Sequence, residues 1–253
     1  MKVTFLGTGT SQGVPVIACN CQVCLSQDFK DKRLRSSIMI SSEEATVVID
    51  SGPDFRYQML REKVQHLDAL VFTHEHKDHI AGMDDVRAFN YKQQSAMEVY
   101  ASEDVQNALK REFYYVFSDF KYPGIPLINL HTIGAEKFNI GDIDFTPIEV
   151  MHYKLPVFGF RINDFTYITD AKTVSDEELE KIKGSKILVV NALQRERHIS
   201  HFTLQEAIDF VELVKPQKAY LTHISHKLGK HDEVMRELPP YIALAYDGLQ
   251  IDI

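Results

Sequence analysis

Four side chains able to bind a metal ion, His74, His76, Asp78 and His79, stand within the segment THEHKDH (73–79), directly after the apolar run ALVF. In a local loop, His74 and His76 can turn toward one ion while Asp78 and His79 turn toward a second. Imidazole suits zinc and other first-row divalent metals, and a carboxylate widens the choice toward manganese. Further ligands have to come from elsewhere in the chain: His152 can complete the first site, His223 the second, and Asp170 can bridge them. Two ions held roughly 3.5 to 4 Å apart would share and activate a water or hydroxide, the nucleophile of a metal-dependent hydrolase. His66, His131 and His231 stand alone and are read as surface or internally satisfied residues.

A second cluster, CNCQVC, holds all three cysteines, Cys19, Cys21 and Cys24. An odd number of thiols this close together makes a poor disulfide framework, so a metal site fits better, with three buried thiols as the alternative. Tetrahedral zinc needs a fourth donor. His226, three residues after His223, is the candidate. A closed site of this kind is structural.

These residues need elements to position them. The chain alternates β-rich runs (KVTFL, SSIMIS, TVVID, ALVFT, MEVYA, IDFTPIEV, VFGFRI, FTYIT, KILVVNA, KAYLT, IALAY) with helical ones (DFRYQMLREKV, MDDVRAFNYKQ, SEDVQNALKREF, SDEELEKIK, TLQEAIDFVELV). Ser175 and Thr203 precede acidic first turns in capping-box fashion. Asp50, His74, His152, Asp170 and His223 each fall at or just past the end of a different strand. In layered α/β folds the carboxyl ends of strands open into loops where ligands collect, so these scattered residues can converge. Residues 1–253 are expected to form a single domain, with a long loop from about 7 to 35 whose zinc-binding part is about 15–30. Loops of that length are usually functional or clipped by something. The glycines of GTGTSQG lack the Lys and following helix of a phosphate loop and are read as a tight turn beside the metals.

Composition narrows the partners. A formal charge of −8 and a pI near 5.8 argue against a broad grip on nucleic acid. No apolar run reads as a signal peptide or membrane span, so the expected location is cytoplasmic.

THEHKDH matches the H-x-H-x-D-H signature of the metallo-β-lactamase superfamily, and the resemblance runs along the whole chain, with VID before a helix, His152, Asp170 in ITDA and His223 in LTHISH in order. It implies an α/β (α+β) fold, a four-layer αββα sandwich with a dinuclear centre at one edge. Within the superfamily, GTGTSQGVP followed by CNCQVC, IDSGPDFR and RHISHFT resembles the PhnP-type phosphodiesterases, which open cyclic phosphates of ribose. That resemblance implies two divalent ions, manganese or zinc, on His74, His76, Asp78, His79, His152, Asp170 and His223, and one structural zinc on Cys19, Cys21, Cys24 and His226. It places a phosphate-contacting, proton-donating histidine at His201, with His198 as the alternative. His201 and Asp78 are the residues expected to take direct part in catalysis. Asp50 is expected to orient a ligating histidine through its other ring nitrogen, and Arg56 either meets phosphate or faces outward from its helix.

The function so implied is hydrolysis of a small cyclic phosphate or related phosphodiester. The expected partners are that substrate and, as an open option, a second copy of the chain as a homodimer, with no long nucleic acid and no membrane. A tRNA 3′-processing endonuclease of the same superfamily shares the ligand set but needs a long basic flexible insertion, and none is evident. A non-catalytic relative of the quinone-cofactor biosynthesis proteins would have lost dinuclear ligands, and all seven are here. A glyoxalase-type thioesterase and a true β-lactamase fit less well.

Overall fold

The computed structural model of the chain describes residues 1–120 and 122–253. The first sheet holds β1 (Lys2–Gly7), β2 (Ser37–Ser41), β3 (Thr46–Ile49), β4 (Ala69–Val71), β5 (Met97–Ala101), β6 (Ile128–Thr132) and β15 (Gln250–Asp252), in the order β15-β1-β2-β3-β4-β5-β6. The second holds β8 (Ile143–His152), β9 (Leu155–Ile162), β10 (Phe165–Tyr167), β11 (Thr173–Val174), β12 (Ile187–Asn191), β13 (Lys218–Thr222) and β14 (Ile242–Leu244), in the order β11-β8-β9-β10-β12-β13-β14, with β7 (Phe138–Ile140) also paired to β8. Helices α1 (Phe55–Arg61), α2 (Lys77–Ile80), α3 (Arg87–Gln93), α4 (Glu103–Glu112) and α5 (Tyr114–Phe117) follow strands of the first sheet, and α6 (Asp176–Ile182), α7 (Leu204–Val214) and α8 (His231–Met235) follow strands of the second.

Alternation along the strands builds the layers. Val47 and Ile49 of β3 face a core between the sheets shared with Phe145, Phe160, Ile162 and Tyr167. The residue between them, Val48, faces the opposite way, into a core with Phe55 and Met59 of α1 and Val105 and Leu109 of α4. On the outer side of the second sheet, Leu188 and Val190 of β12 pack on Leu179 and Ile182 of α6 and on Ala207, Phe210 and Val211 of α7. Three apolar interfaces separating two sheets and two sets of helices define an αββα sandwich. Strands buried on both faces read as continuous apolar runs, which is why the parallel ALV of β4 and ILVV of β12 stand out in the sequence, whereas β13, KAYLT, keeps Lys218 and Tyr220 partly exposed on one face.

Several elements differ from the sequence reading. The segment 83–93 is a 3₁₀ turn over Met83–Val86 followed by α3, not one helix. The strands β6, β7, β11 and β15 and the one-turn helices α2 and α5 have no counterpart among the predicted runs. They are short or half-exposed, so neither a full apolar period nor a buried run marks them. Among the described residues no helix is long and apolar enough to cross a membrane.

Candidate metal centre

The residues predicted at strand ends do meet, at the edge where β3, β4, β8, β10 and β13 terminate. Asp50, Asp170 and His223 each take a left-handed backbone there, with φ of 66°, 56° and 55°. Non-glycine residues hold that conformation at a cost, and such strain gathers at functional sites. The loop after Asp50 presses directly on the metal motif: a Cβ at Gly52 would stand 1.9 Å from the Asp78 carbonyl oxygen, so no residue but glycine fits.

Hydrogen bonds fix which nitrogen each histidine offers. Asp50 is fully buried and accepts from Thr73 N–H at 2.9 Å, Thr73 Oγ1–H at 2.9 Å and His79 Nδ1–H at 2.7 Å. Because the Thr73 hydroxyl hydrogen goes to Asp50, its oxygen accepts from His74 Nδ1–H, 2.9 Å away. His152 Nδ1–H donates to the carbonyls of Asp170 and Ser200, both at 2.9 Å. In His74, His79 and His152 alike, the proton is held on Nδ1 and the Nε2 lone pair is left for something else.

The surroundings of those atoms suit a cation. His79 Nε2 is buried with no hydrogen-bond partner, yet Asp78 Oδ2 lies 3.2 Å and Asp170 Oδ2 3.3 Å from it, neither in line for a hydrogen bond. His74 Nε2 and His76 Nδ1 are 3.0 Å apart, while His223 Nδ1 lies 3.2 Å from Asp170 Oδ2 and also 3.2 Å from Ser36 Oγ, to which it can donate. Donors around one tetrahedral ion at about 2.0–2.1 Å stand roughly 3.3 Å from one another, so the spacings suit a shared metal. Burial opposes charge on His79, but the Asp50, Asp170 and Asp78 carboxylates outweigh it and hold its pKa well above the usual range. A divalent ion at Nε2 would take the place of that proton.

The tightest groupings cross the expected division into a His74–His76–His152 site and an Asp78–His79–His223 site. His74, His79 and Asp170 form one triad and His152, Asp170 and His201 another, each with its candidate atoms within 4.8 Å of one another. The reason is the shared Asp50 relay, which draws the His74 and His79 rings to 4.1 Å between centroids. Asp170 belongs to both triads. His201, expected as a proton donor, therefore also has ligand geometry. Its ring is 4.5 Å from that of His152 and 4.8 Å from that of His223, and its Nδ1 is buried without a hydrogen-bond partner. Burial, then the neighbouring His223, pushes His201 down to about 2. His198, half-buried 5.1 Å from His201, is held below the usual range by burial and then by His152, Lys172 and Lys227. Arg56 is not brought to the cluster: Phe55, Gln58 and Met59 turn inward from α1, which leaves Arg56 exposed beside Met59, Leu60 and Lys92. Sequence reasoning missed Thr73, whose hydroxyl links Asp50 to His74, and Asn191, whose amide clamps Ala171 at 2.7 and 3.0 Å. Asn191 carried a usable signal, a polar residue closing the apolar run of β12.

The cysteine loop closes on the same edge. His226 Nδ1 lies 3.2, 3.4 and 3.5 Å from the Sγ atoms of Cys19, Cys21 and Cys24. Sulfur and nitrogen donors on one zinc at about 2.3 and 2.0 Å would stand roughly 3.6 Å apart, so the four fit one ion. The backbone N–H of Cys24 donates to Cys21 Sγ and lowers that thiol to about 6, while burial raises Cys24 to about 11. Bridges from Gly9 to Arg35 and Ile224, and from Val14 to Arg33, tie this loop to the strand end that carries His223.

Residues 45–224 match the family described as the beta-lactamase superfamily domain, and the chain belongs to that superfamily. A solved structure described as a new diphosphatase from the PhnP family is 38% identical, with a TM-score of 0.93 over 100% of this chain and 97% of that one. A Porphyromonas gingivalis protein named octanoyltransferase is also 38% identical, over 99% of this chain and 51% of its own length. A ribonuclease Z of a Nostoc species is 25% identical over 64% of this chain and 46% of its own. The chain thus spans about half the length of these curated relatives.

Proposed function

We propose that the chain is a metal-dependent hydrolase of small phosphodiesters, with His74, His76, Asp78, His79, His152, Asp170 and His223 holding two divalent ions, manganese or zinc. Cys19, Cys21, Cys24 and His226 would hold a third, structural zinc. The observation that carries the reading is the bare Nε2 of His79, buried between two carboxylate oxygens and stripped of every hydrogen bond while its Nδ1 is locked to Asp50. Two divalent ions, when bound, neutralise charge on phosphoryl oxygens and bring the pKa of a water toward neutrality.

The chain's own residues do the rest. Asp50 fixes the His79 tautomer directly and that of His74 through Thr73. The carbonyls of Asp170 and Ser200 do the same for His152. His201 gives a proton to the departing oxygen. Burial disfavours its charged form, so the proton it gives is one taken up from solvent as the anionic phosphoryl group arrives beside it, since opposite charge raises an imidazole pKa.

Support for a small substrate comes from the acidic net charge and from the 38% identity to a PhnP-family diphosphatase across nearly all of both chains. The nuclease reading has the ribonuclease Z likeness behind it, over a smaller share of the chain. A turnover panel with metal-reconstituted protein separates them: ribose 1,2-cyclic phosphate, 2′,3′-cyclic nucleotides, bis(p-nitrophenyl) phosphate, precursor tRNA and a thioester. Turnover of the small diesters with intact tRNA is expected. Cleavage of tRNA alone would transfer the chain to the nucleases, and thioester cleavage alone would remove it from phosphate chemistry.

A further inference from the structure

Beside the histidines lies a hollow of about 510 Å³ lined by Tyr153, Lys172, Arg197, His198 and Ile199. That is a size at which small-molecule sites occur. Its two walls are chain neighbours of the candidate centre. Tyr153 follows His152 at the turn between β8 and β9, and its left-handed backbone, φ 57°, turns it away from the strand. Arg197, His198 and Ile199 lead into His201. The hydrogen bond from His152 Nδ1–H to the Ser200 carbonyl, 2.9 Å, staples one wall to the other. A group resting in the hollow is therefore one histidine ring, His198, away from His201.

The lining has two chemistries. Tyr153 and Ile199 keep 53% and 64% of their surface in solvent on the two sides of the hollow. Lys154 Nζ stands over the Tyr153 ring, 5.4 Å from its centroid, but does not line the hollow, so a flat ring can lie between the Tyr153 and Ile199 side chains. The second chemistry is positive. Lys172 Nζ is already held by both Glu206 carboxylate oxygens at 2.8 Å, so its charge is spent. Arg197 is exposed and has no hydrogen bond or ion pair among the described residues. A guanidinium in that position can grip a phosphate with two parallel N–H donors. The one acidic neighbour on that segment, Glu196, is exposed and does not line the hollow.

We propose that the hollow between Tyr153 and Ile199 receives the departing half of the substrate, and that this half is a nucleotide-like group, a flat ring carrying its own phosphate that Arg197 holds. The substrate class is then a diester or pyrophosphate of a nucleotide. This rests on the phosphodiesterase reading of the adjoining centre. Tyr153, Arg197 and Ile199 set specificity, and the bond cleaved is still the one facing the histidines.

The test is titration calorimetry of Mn²⁺-loaded protein with adenosine 5′-monophosphate, adenosine, ribose 5-phosphate and inorganic phosphate. Adenosine 5′-monophosphate should bind at least tenfold more tightly than adenosine or phosphate. Stacking of a base on an aromatic ring is worth on the order of tenfold in affinity, so Tyr153→Ala should weaken the nucleotide by about that factor and ribose 5-phosphate hardly at all. Arg197→Met should weaken both. Nucleotide binding no tighter than phosphate, or unmoved by both substitutions, overturns the proposal. Hydrolysis of bis(p-nitrophenyl) phosphate by the same samples keeps the two claims apart. Variant-sensitive nucleotide binding without turnover supports the hollow and fails the phosphodiesterase reading, whereas turnover with variant-insensitive binding does the reverse.

Discussion

Replacing Asp50 by Asn should cost metal affinity without unfolding the protein. The fully buried carboxylate accepts three hydrogen bonds, one at Oδ1 from Thr73 N–H and two at Oδ2, from Thr73 Oγ1–H and His79 Nδ1–H. An alanine there would orphan all three donors at about 1–3 kcal/mol each, a total comparable with the whole stability of a domain, so its phenotype would report unfolding. Asparagine keeps the Oδ1 acceptor, tolerates the left-handed φ of 66°, and puts an NH₂ where Oδ2 was. The Thr73 hydroxyl can rotate to accept from that NH₂. His79 cannot keep its proton on Nδ1 facing a donor, so the tautomer inverts, Nδ1 accepts, and the proton moves to Nε2, the atom needed for a metal. Losing the group that orients a ligand typically costs 10- to 100-fold in metal affinity, about 1.4–2.7 kcal/mol, while stability should fall by only ~1 kcal/mol. Competition against a fluorescent chelator measures the first and urea unfolding of the metal-free protein the second. Asp50→Asn with wild-type affinity at both exchangeable sites would refute the relay.

Cys21→Ser should remove one zinc by elemental analysis and lower the melting temperature, because binding energy at a structural site is folding energy, with residual activity following the folded fraction. An unchanged zinc count would rule out the thiolate site. His201→Ala should slow a substrate with a poor alkoxide leaving group by ~10² to 10⁴ and a p-nitrophenolate ester far less, at constant metal content. Equal losses would make His201 a ligand or positioning residue, and a loss confined to His198→Ala would move the role there. Burial, and then the adjacent Arg33, lowers His231 to about 4. Below about 6.5 the unfolded chain takes up a proton that the folded one refuses, so stability should fall as pH drops from 6.5 to 4, by ~1 kcal/mol after allowing for solvent screening. His231→Gln should flatten that slope in urea titrations at pH 7 and 5, and an unaltered slope would discharge His231 from the effect.

What could be read in advance was whatever leaves a local trace. Val47, Val48 and Ile49 announce a doubly buried strand, and a polar residue capping such a run marks the edge where strands end, so the meeting of Asp50, His74, Asp170 and His223 at one edge was legible. Which histidine would lie against which was not, because the Asp50 relay through Thr73 depends on two strands, β3 and β4, that meet only in the fold. The half-exposed edge strand INLHT has too little apolar contrast to be seen. Arg56 sits in a motif that matched the family, but its side of α1 is decided by the inward turn of Phe55 and Met59. The clustering of Cys19, Cys21 and Cys24 was plain in the sequence, and the structure brings His226 to them. The attachment of the cysteine loop through Gly9 to Ile224, more than two hundred residues away, has no signal along the chain.

On the proposed reading, two exchangeable ions at the His74–Asp170–His152 edge make this chain a phosphodiesterase. Metal-stripped protein that retains its structural zinc should be titrated with Mn²⁺ while bis(p-nitrophenyl) phosphate hydrolysis and bound metal are followed together, alongside His76→Ala. Activity that rises from background and saturates at two added equivalents, and that collapses with the loss of one bound ion in His76→Ala, is the predicted result. Two ions bound with no hydrolysis of any phosphodiester, or hydrolysis and metal content both intact in His76→Ala, would contradict it.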